Sequence, residues 1–189
     1  MITLKEEVPS FVTSICHALL KQGVDVSGLQ ADHVCYRTET QEQYTSLVEA
    51  LSRSSQDFSL LVESEVGGRL IATFKLKAPI HSSDGNHAVD VVEIPSPKEG
   101  SPYSAGLEHV EFVIGNSTNM SPKNSDDHQD ELTQWMRKHS QVEWNSKGLK
   151  KTSNPDVSTT LILDKGSSAS AKFHLLPLEL VLEAEKIEA

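Results

Sequence analysis

Two short strings, Ala31-Asp32-His33-Val34-Cys35-Tyr36 and Leu107-Glu108-His109-Val110-Glu111-Phe112, set a histidine in the same surroundings 76 residues apart. Each reads apolar residue, acid, histidine, valine, a variable residue, aromatic. An imidazole can bind a divalent ion, carry a proton or simply satisfy a buried hydrogen bond. A lone strand histidine usually does the last. Here two further residues join the pair. Glu93 follows His33 by 60 residues, just before Pro95, and His174 follows His109 by 65, just before Pro177. His33, Glu93, His109 and His174 are therefore a candidate set of metal ligands. Three neutral imidazoles and one carboxylate around a divalent ion leave a centre of net charge +1. In six-coordination two adjacent positions stay open, which suits a ligand with neighbouring oxygens such as a hydroxy-ketone, a catechol or an enediolate. The donors suit Fe, Mn, Ni, Co or Zn. Zinc closed in a tetrahedron by all four would instead be structural.

Strand parity selects the other candidates. Leu107, His109, Glu111 and Val113 share one face of their strand, while Glu108, Val110, Phe112 and Ile114 share the other. The second face is more apolar and should pack under a helix, so His109 and Glu111 point the opposite way. The same alternation groups His33, Cys35 and Arg37. Glu111 is a candidate catalytic base, or else a partner for an imidazole N–H. Arg37 and Lys75 are candidate substrate-binding cations for an anionic or carbonyl-containing small molecule, or else plain surface charges. Cys35 reads as a small buried thiol. The histidines at 17, 81, 87, 128 and 139 fall on helices and loops and take ordinary roles.

These residues need elements to hold them. After the first string, Thr38-Glu39-Thr40 supplies helix caps, and Tyr44, Leu47, Val48 and Leu51 recur at helical spacing. Strand-like runs follow at Phe58–Glu63, Leu70–Leu76 and Ala88–Ile94, with Gly67-Gly68 as a hairpin turn. After the second string, a helix over 126–139 precedes runs at Gln141–Trp144, Thr159–Leu163 and Ala169–Leu176. Each half thus reads strand, helix, strand, strand, strand. The expected organisation is a helical extension over 1–27, one module over 28–98, a second over 99–176 and a terminal helix over 177–189, all in one compact unit. Gly23 should stop the first helix, and Leu178, Val181 and Leu182 should face inward from the last.

Composition narrows the classes. The chain has 189 residues, 37% apolar and 23% charged, enough for a sizeable core. Its net charge of −10 offers no field for nucleic acid or an anionic membrane. Two cysteines exclude a disulfide scaffold and a cysteine zinc finger. No run is long enough to span a bilayer and no leader stands at the N-terminus, so a cytoplasmic protein is expected. Asn116-Ser117-Thr118 and Asn119-Met120-Ser121 match the glycosylation pattern and read as chance. Phosphate-loop, dinucleotide and serine-hydrolase signatures are missing. Oligomeric state stays open.

Paired modules with ligands on their first and last strands resemble the vicinal oxygen chelate superfamily, which includes glyoxalase I, extradiol dioxygenases and methylmalonyl-CoA epimerase. Ala31-Asp32-His33, Phe74-Lys75-Leu76, Val92-Glu93-Ile94-Pro95, Glu108-His109-Val110-Glu111, Lys151-Thr152-Ser153 and Lys172-Phe173-His174 more closely resemble the YecM family, a bacterial branch with that fold. The resemblance runs from about residue 10 to the C-terminus. It implies an α+β fold of two paired βαβββ modules forming a curved mixed sheet around a cavity, and one divalent transition metal at His33, Glu93, His109 and His174. The last ligand is Glu in many relatives and His174 here. The implied function is a metal-dependent isomerase, lyase or oxygenase. The alternatives are a small-molecule or metal-binding protein without turnover and a structural metal scaffold.

Overall fold

Local signals set the first boundaries. The first helix, α1 (Leu4–Lys21), ends where Gly23 takes φ +79°, and the Gly23 and Val24 N–H groups reach back to the Leu20 and Leu19 carbonyls at 2.9 and 3.0 Å. Only glycine takes that left-handed conformation without strain. The first strand, β1 (Gln30–Arg37), leads to α2 (Gln41–Arg53), capped by the Thr40 hydroxyl, which accepts from the Gln43 N–H. Then come β2 (Phe58–Glu65), β3 (Leu70–His81), β4 (Ala88–Pro95), β5 (Gly106–Val113), α3 (Ser125–Lys138), a 3-10 turn (Lys147–Lys150), β6 (Asp156–Ile162), β7 (Ser168–His174) and α4 (Leu178–Glu188). This computed structural model describes residues 4–100, 103–115, 125–164 and 166–188. The two glycosylation-like patterns lie outside the described residues.

The seven strands form one open mixed sheet in the order β2-β3-β4-β1-β5-β7-β6. β1 and β5 run antiparallel in the middle, with Val34 opposite Val110. On the outer side of each lies a parallel neighbour, β4 beside β1 and β7 beside β5. The two halves are thus related by a pseudo-twofold axis near the Val34–Val110 pair. One face of the sheet carries the core. Val34, Phe74, Ile94, Val110, Phe112 and Phe173 are almost wholly buried there, and α1 adds Val8, Val12, Ile15 and Leu19. Each large apolar side chain removed from water contributes about 1.5–3 kcal/mol. The opposite face is left for the polar residues of β1, β4, β5 and β7.

The second half departs from the expected pattern at one element. Gln141–Trp144 is not a strand. A single bridge, Asn145 to Ser158, replaces the counterpart of β2. Side chains and turns take the backbone partners a strand would use. Trp144 Nε1 and the Val142 N–H both donate to the His139 carbonyl, and the Asn145 side chain accepts from the Lys147 N–H. Among the described residues the second module therefore has three strands where the first has four.

Candidate metal centre

Two bulges in the β1–β5 ladder position the central histidines. His33 pairs with Glu111 and Ala31 with Phe112, so Asp32 is the extra residue. Cys35 pairs with His109 and Tyr36 with Leu107, so Glu108 is the extra residue. A bulge breaks strict alternation and re-aims a side chain. Both acids, of which Glu108 was expected on the core face, reach their own histidines. Asp32 Oδ2 lies 2.8 Å from His33 Nδ1, and Glu108 Oε2 lies 3.0 Å from His109 Nδ1. His174, at the end of β7, places Nδ1 2.6 Å from the Leu176 carbonyl oxygen. Carboxylate and carbonyl oxygens accept, which puts a proton on Nδ1 of His33 and His109; the Leu176 carbonyl favours the same for His174, whose Nδ1 also lies 2.9 Å from Asn154 Nδ2. In the neutral imidazole the Nε2 lone pair is then free.

Those three Nε2 atoms converge. His33 and His109 Nε2 lie 3.3 and 3.0 Å from Glu111 Oε1, and His174 Nε2 lies 3.8 Å from Glu111 Oε2. Glu93 Oε2 is 3.6 Å from His33 Nε2. The rings are 1–2% exposed, and none of the three Nε2 atoms has a hydrogen-bond partner. Buried polar atoms are rarely left so. One ligand atom each from His33, Glu93, His109 and Glu111 lie within 4.8 Å of one another. His174 falls in an adjoining group with Asp32 and His33, its Nε2 3.5 Å from Asp32 Oδ2. Cys35, Glu108 and His109 form a third group.

Lys172 was not anticipated. Its ammonium donates to Glu111 Oε1 at 2.6 Å. Register explains its place: Cys35 lies opposite Glu93 in one half, and Glu111 lies opposite Lys172 in the other. Lys172 is therefore the counterpart of Glu93, and His174 matches Pro95. Four carboxylates, Asp32, Glu93, Glu108 and Glu111, surround the imidazoles, with Arg37 paired to Glu108 and Lys172 to Glu111. The imidazoles respond to those carboxylates. Burial would lower the His33 pKa, but the Glu111 and Glu93 charges and the Asp32 hydrogen bond raise it well above its ordinary value. Burial and Lys172 would lower His109, but contacts with Cys35 and Glu108 raise it to about 10.

Beneath the site face opens a cavity of about 650 Å³, lined by His33, Glu93, His109, Glu111 and Lys172, with Leu178, Val181 and Leu182 of α4 facing it. Arg37 lines it as well, paired with Glu108. Lys75 is on β3, held by Asp90 at 2.9 Å and by Glu179, away from the cavity lining. The acid before each histidine was visible in both strings; what hid its role was the assumption of unbroken alternation. The other histidines pack elsewhere: His87, for instance, lies against Cys16 and the Val26 carbonyl.

Comparison with known proteins fits this architecture. The family model described as YecM protein matches residues 1–185. An uncharacterized protein of Haemophilus influenzae is 25% identical over 114 residues, covering 60% of this chain and 57% of that protein. The match thus spans less than two thirds of the relative. Among solved structures, the structural-genomics protein EC4020 superposes with a TM-score of 0.63 at 21% identity, over 95% of this chain and 92% of that one. A methylmalonyl-CoA epimerase superposes with a TM-score of 0.48 at 13% identity, over 78% of this chain and 94% of that one.

Proposed function

The chain belongs to the YecM family, and from that premise we propose that its cavity is a divalent-metal centre of the vicinal oxygen chelate type. It would serve an isomerase, lyase or oxygenase acting on a small polar molecule with adjacent oxygens. One observation carries the proposal: three buried imidazoles are each anchored through Nδ1 and turn an unpartnered Nε2 toward two carboxylates. Metal-binding histidines are commonly oriented in this way through their second nitrogen. The residues that would hold a divalent ion are His33, Glu93, His109 and Glu111, with His174 beside them. When bound, the ion supplies a Lewis acid and a template for two neighbouring oxygens.

The chain's own residues set the rest. Asp32, Glu108 and the Leu176 carbonyl fix the rings. Asp32 also accepts from the Leu178 N–H at 3.0 Å, which ties the start of α4 to the centre. Leu178, Val181 and Leu182 then put apolar surface over the cavity and restrict water. Burial would raise the Glu111 carboxyl, but the Lys172 ammonium and His33 hold it well below the ordinary carboxylate range. A carboxylate so stabilised is a weak proton acceptor at neutral pH. Glu111 is better suited to donate to the centre than to act as the base.

A second reading, a metal-free binding protein, draws support from Lys172, because an ammonium already faces Glu111. Untagged protein purified without chelators, then offered Fe(II), Mn, Co, Ni and Zn in turn, separates the two. The metal centre predicts about one ion per chain for at least one metal. Stoichiometry near zero for every metal would leave the second reading standing.

A further inference from the structure

The cavity has a second polar end. Gly67 and Gly68, at φ +60° and +81°, turn β2 into β3. Arg69 follows them directly and lines the cavity together with Arg37, Lys98 and Tyr103. Arg37 gives Nε and Nη2 to Glu108 at 2.5 and 3.0 Å, and its guanidinium lies over the Tyr103 ring at 4.6 Å. That leaves Arg37 Nη1, which is buried without a hydrogen-bond partner. Arg69 Nη1 is buried and unpartnered too.

Guanidinium groups only donate, and a buried charged donor is costly to leave unpaired. Both arginines line the one cavity, and each Nη1 there lacks an acceptor. Burial and then the nearby Arg37 charge hold the Arg69 pKa below its ordinary value. The forked geometry of guanidinium matches carboxylate and phosphate oxygens. Glu108 bridges this end to the centre, since it binds Arg37 and His109 together.

We propose that this end of the cavity is an oxyanion subsite, in which the Nη1 groups of Arg37 and Arg69 hold one carboxylate or phosphate of the substrate. The molecule acted on is then a small anion, with its acidic group at the arginines and its reacting oxygens at the histidine cluster. The placement of the reacting oxygens rests on the metal-centre proposal; the subsite itself does not.

The test is isothermal titration of the full chain, stripped of metal by passage over a chelating resin, with inorganic phosphate and separately with malonate. Saturable binding is expected for at least one, and which one binds more tightly tells phosphate from carboxylate. Arg69→Gln should weaken it by about 10-fold or more. Arg69→Lys, which keeps charge but not the fork, should recover part of the loss. Lys77→Gln, an equal change of net charge on an exposed β3 lysine, should shift it by less than about twofold. Arg69 is in a hairpin loop, and circular dichroism confirms that the variants fold. The subsite is overturned if no anion binds, if Arg69→Gln binds like the wild type, or if anions bind only metal-loaded protein. If the chain takes up no metal yet Arg69-dependent anion binding persists, the subsite stands and the metal centre falls.

Discussion

On β1 and β4 the site face carries Asp32, His33, Cys35 and Glu93. At the register-equivalent positions of β5 and β7 stand Glu108, His109, Glu111 and Lys172. Each half keeps a histidine and, in a bulge before it, the carboxylate that orients it. The next pair of positions differs, thiol and acid in the first half, acid and amine in the second. His174 belongs to the second half alone, because its counterpart is Pro95. The duplicated backbone therefore fixes where the imidazoles point. The side chains that decide charge are free to diverge, and the ionic hub, Glu111 with Lys172, sits on one side of the pseudo-twofold axis.

The difference can be broken most forcefully at that hub. Glu111→Gln takes the partner from the half-buried Lys172 ammonium, which should cost about 1.5–3 kcal/mol in urea unfolding. Cys35→Ala, at the equivalent position of the first half, should cost only about 1 kcal/mol. Equal losses would mean that the two positions carry the same load. Adding Lys172→Met to Glu111→Gln should return part of the stability, since the uncompensated cation is then gone.

The shared feature can be tested next. Asp32→Asn and Glu108→Gln each weaken the anchoring of one ring. Each should lower metal affinity by about 10- to 100-fold, and by similar factors in the two halves, as read by competition with a chelating dye. A loss confined to one half would show that only one imidazole depends on its bulged acid.

The smallest effect is on the pH profile of the metal-free protein. Burial would raise the Glu108 carboxyl, but His109 and Arg37 hold it at about 2, below its ordinary 4.5. Its contribution is therefore present above pH 4.5 and lost as pH falls toward 2. His109, raised from 6.5 to about 10, contributes fully below 6.5, and that contribution is lost as pH rises toward 10. Urea midpoints should thus peak between about pH 4.5 and 6.5, and Glu108→Gln should flatten both flanks. An unchanged profile in that variant would remove Glu108 from the network.

Much of this arrangement was legible in the residues. The six-residue echo placed His33 and His109 on paired strands, and parity put them on the face opposite Val110 and Phe112. Gly23, Thr40 and the Gly67-Gly68 turn ended their elements as their conformations require. What escaped was anything set by register. Near-equal spacings, 60 residues from His33 to Glu93 and 65 from His109 to His174, made Glu93 and His174 look like counterparts, yet pairing with β1 and β5 aligns Glu93 with Lys172. A bulge adds one residue without a mark in the hydrophobic pattern, so Glu108 was assigned to the wrong face. Arg69 gave no local signal, because only folding of the hairpin brings it beside Arg37. Gln141–Trp144 has strand-like residues, but its polar neighbours Asn145 and Ser146 end it in turns.

The central claim is that one centre draws on both halves. Metal affinity by chelator competition, measured for wild type, His33→Ala, Glu93→Ala, His109→Ala and His174→Ala with circular dichroism as the folding check, tests it most directly. A shared centre predicts losses of comparable size for His33→Ala and His109→Ala, on the order of 10-fold or more each, although 76 residues separate them. If His109→Ala and His174→Ala abolish binding while His33→Ala and Glu93→Ala leave it unchanged, the metal belongs to the second half alone and the shared-centre account is wrong.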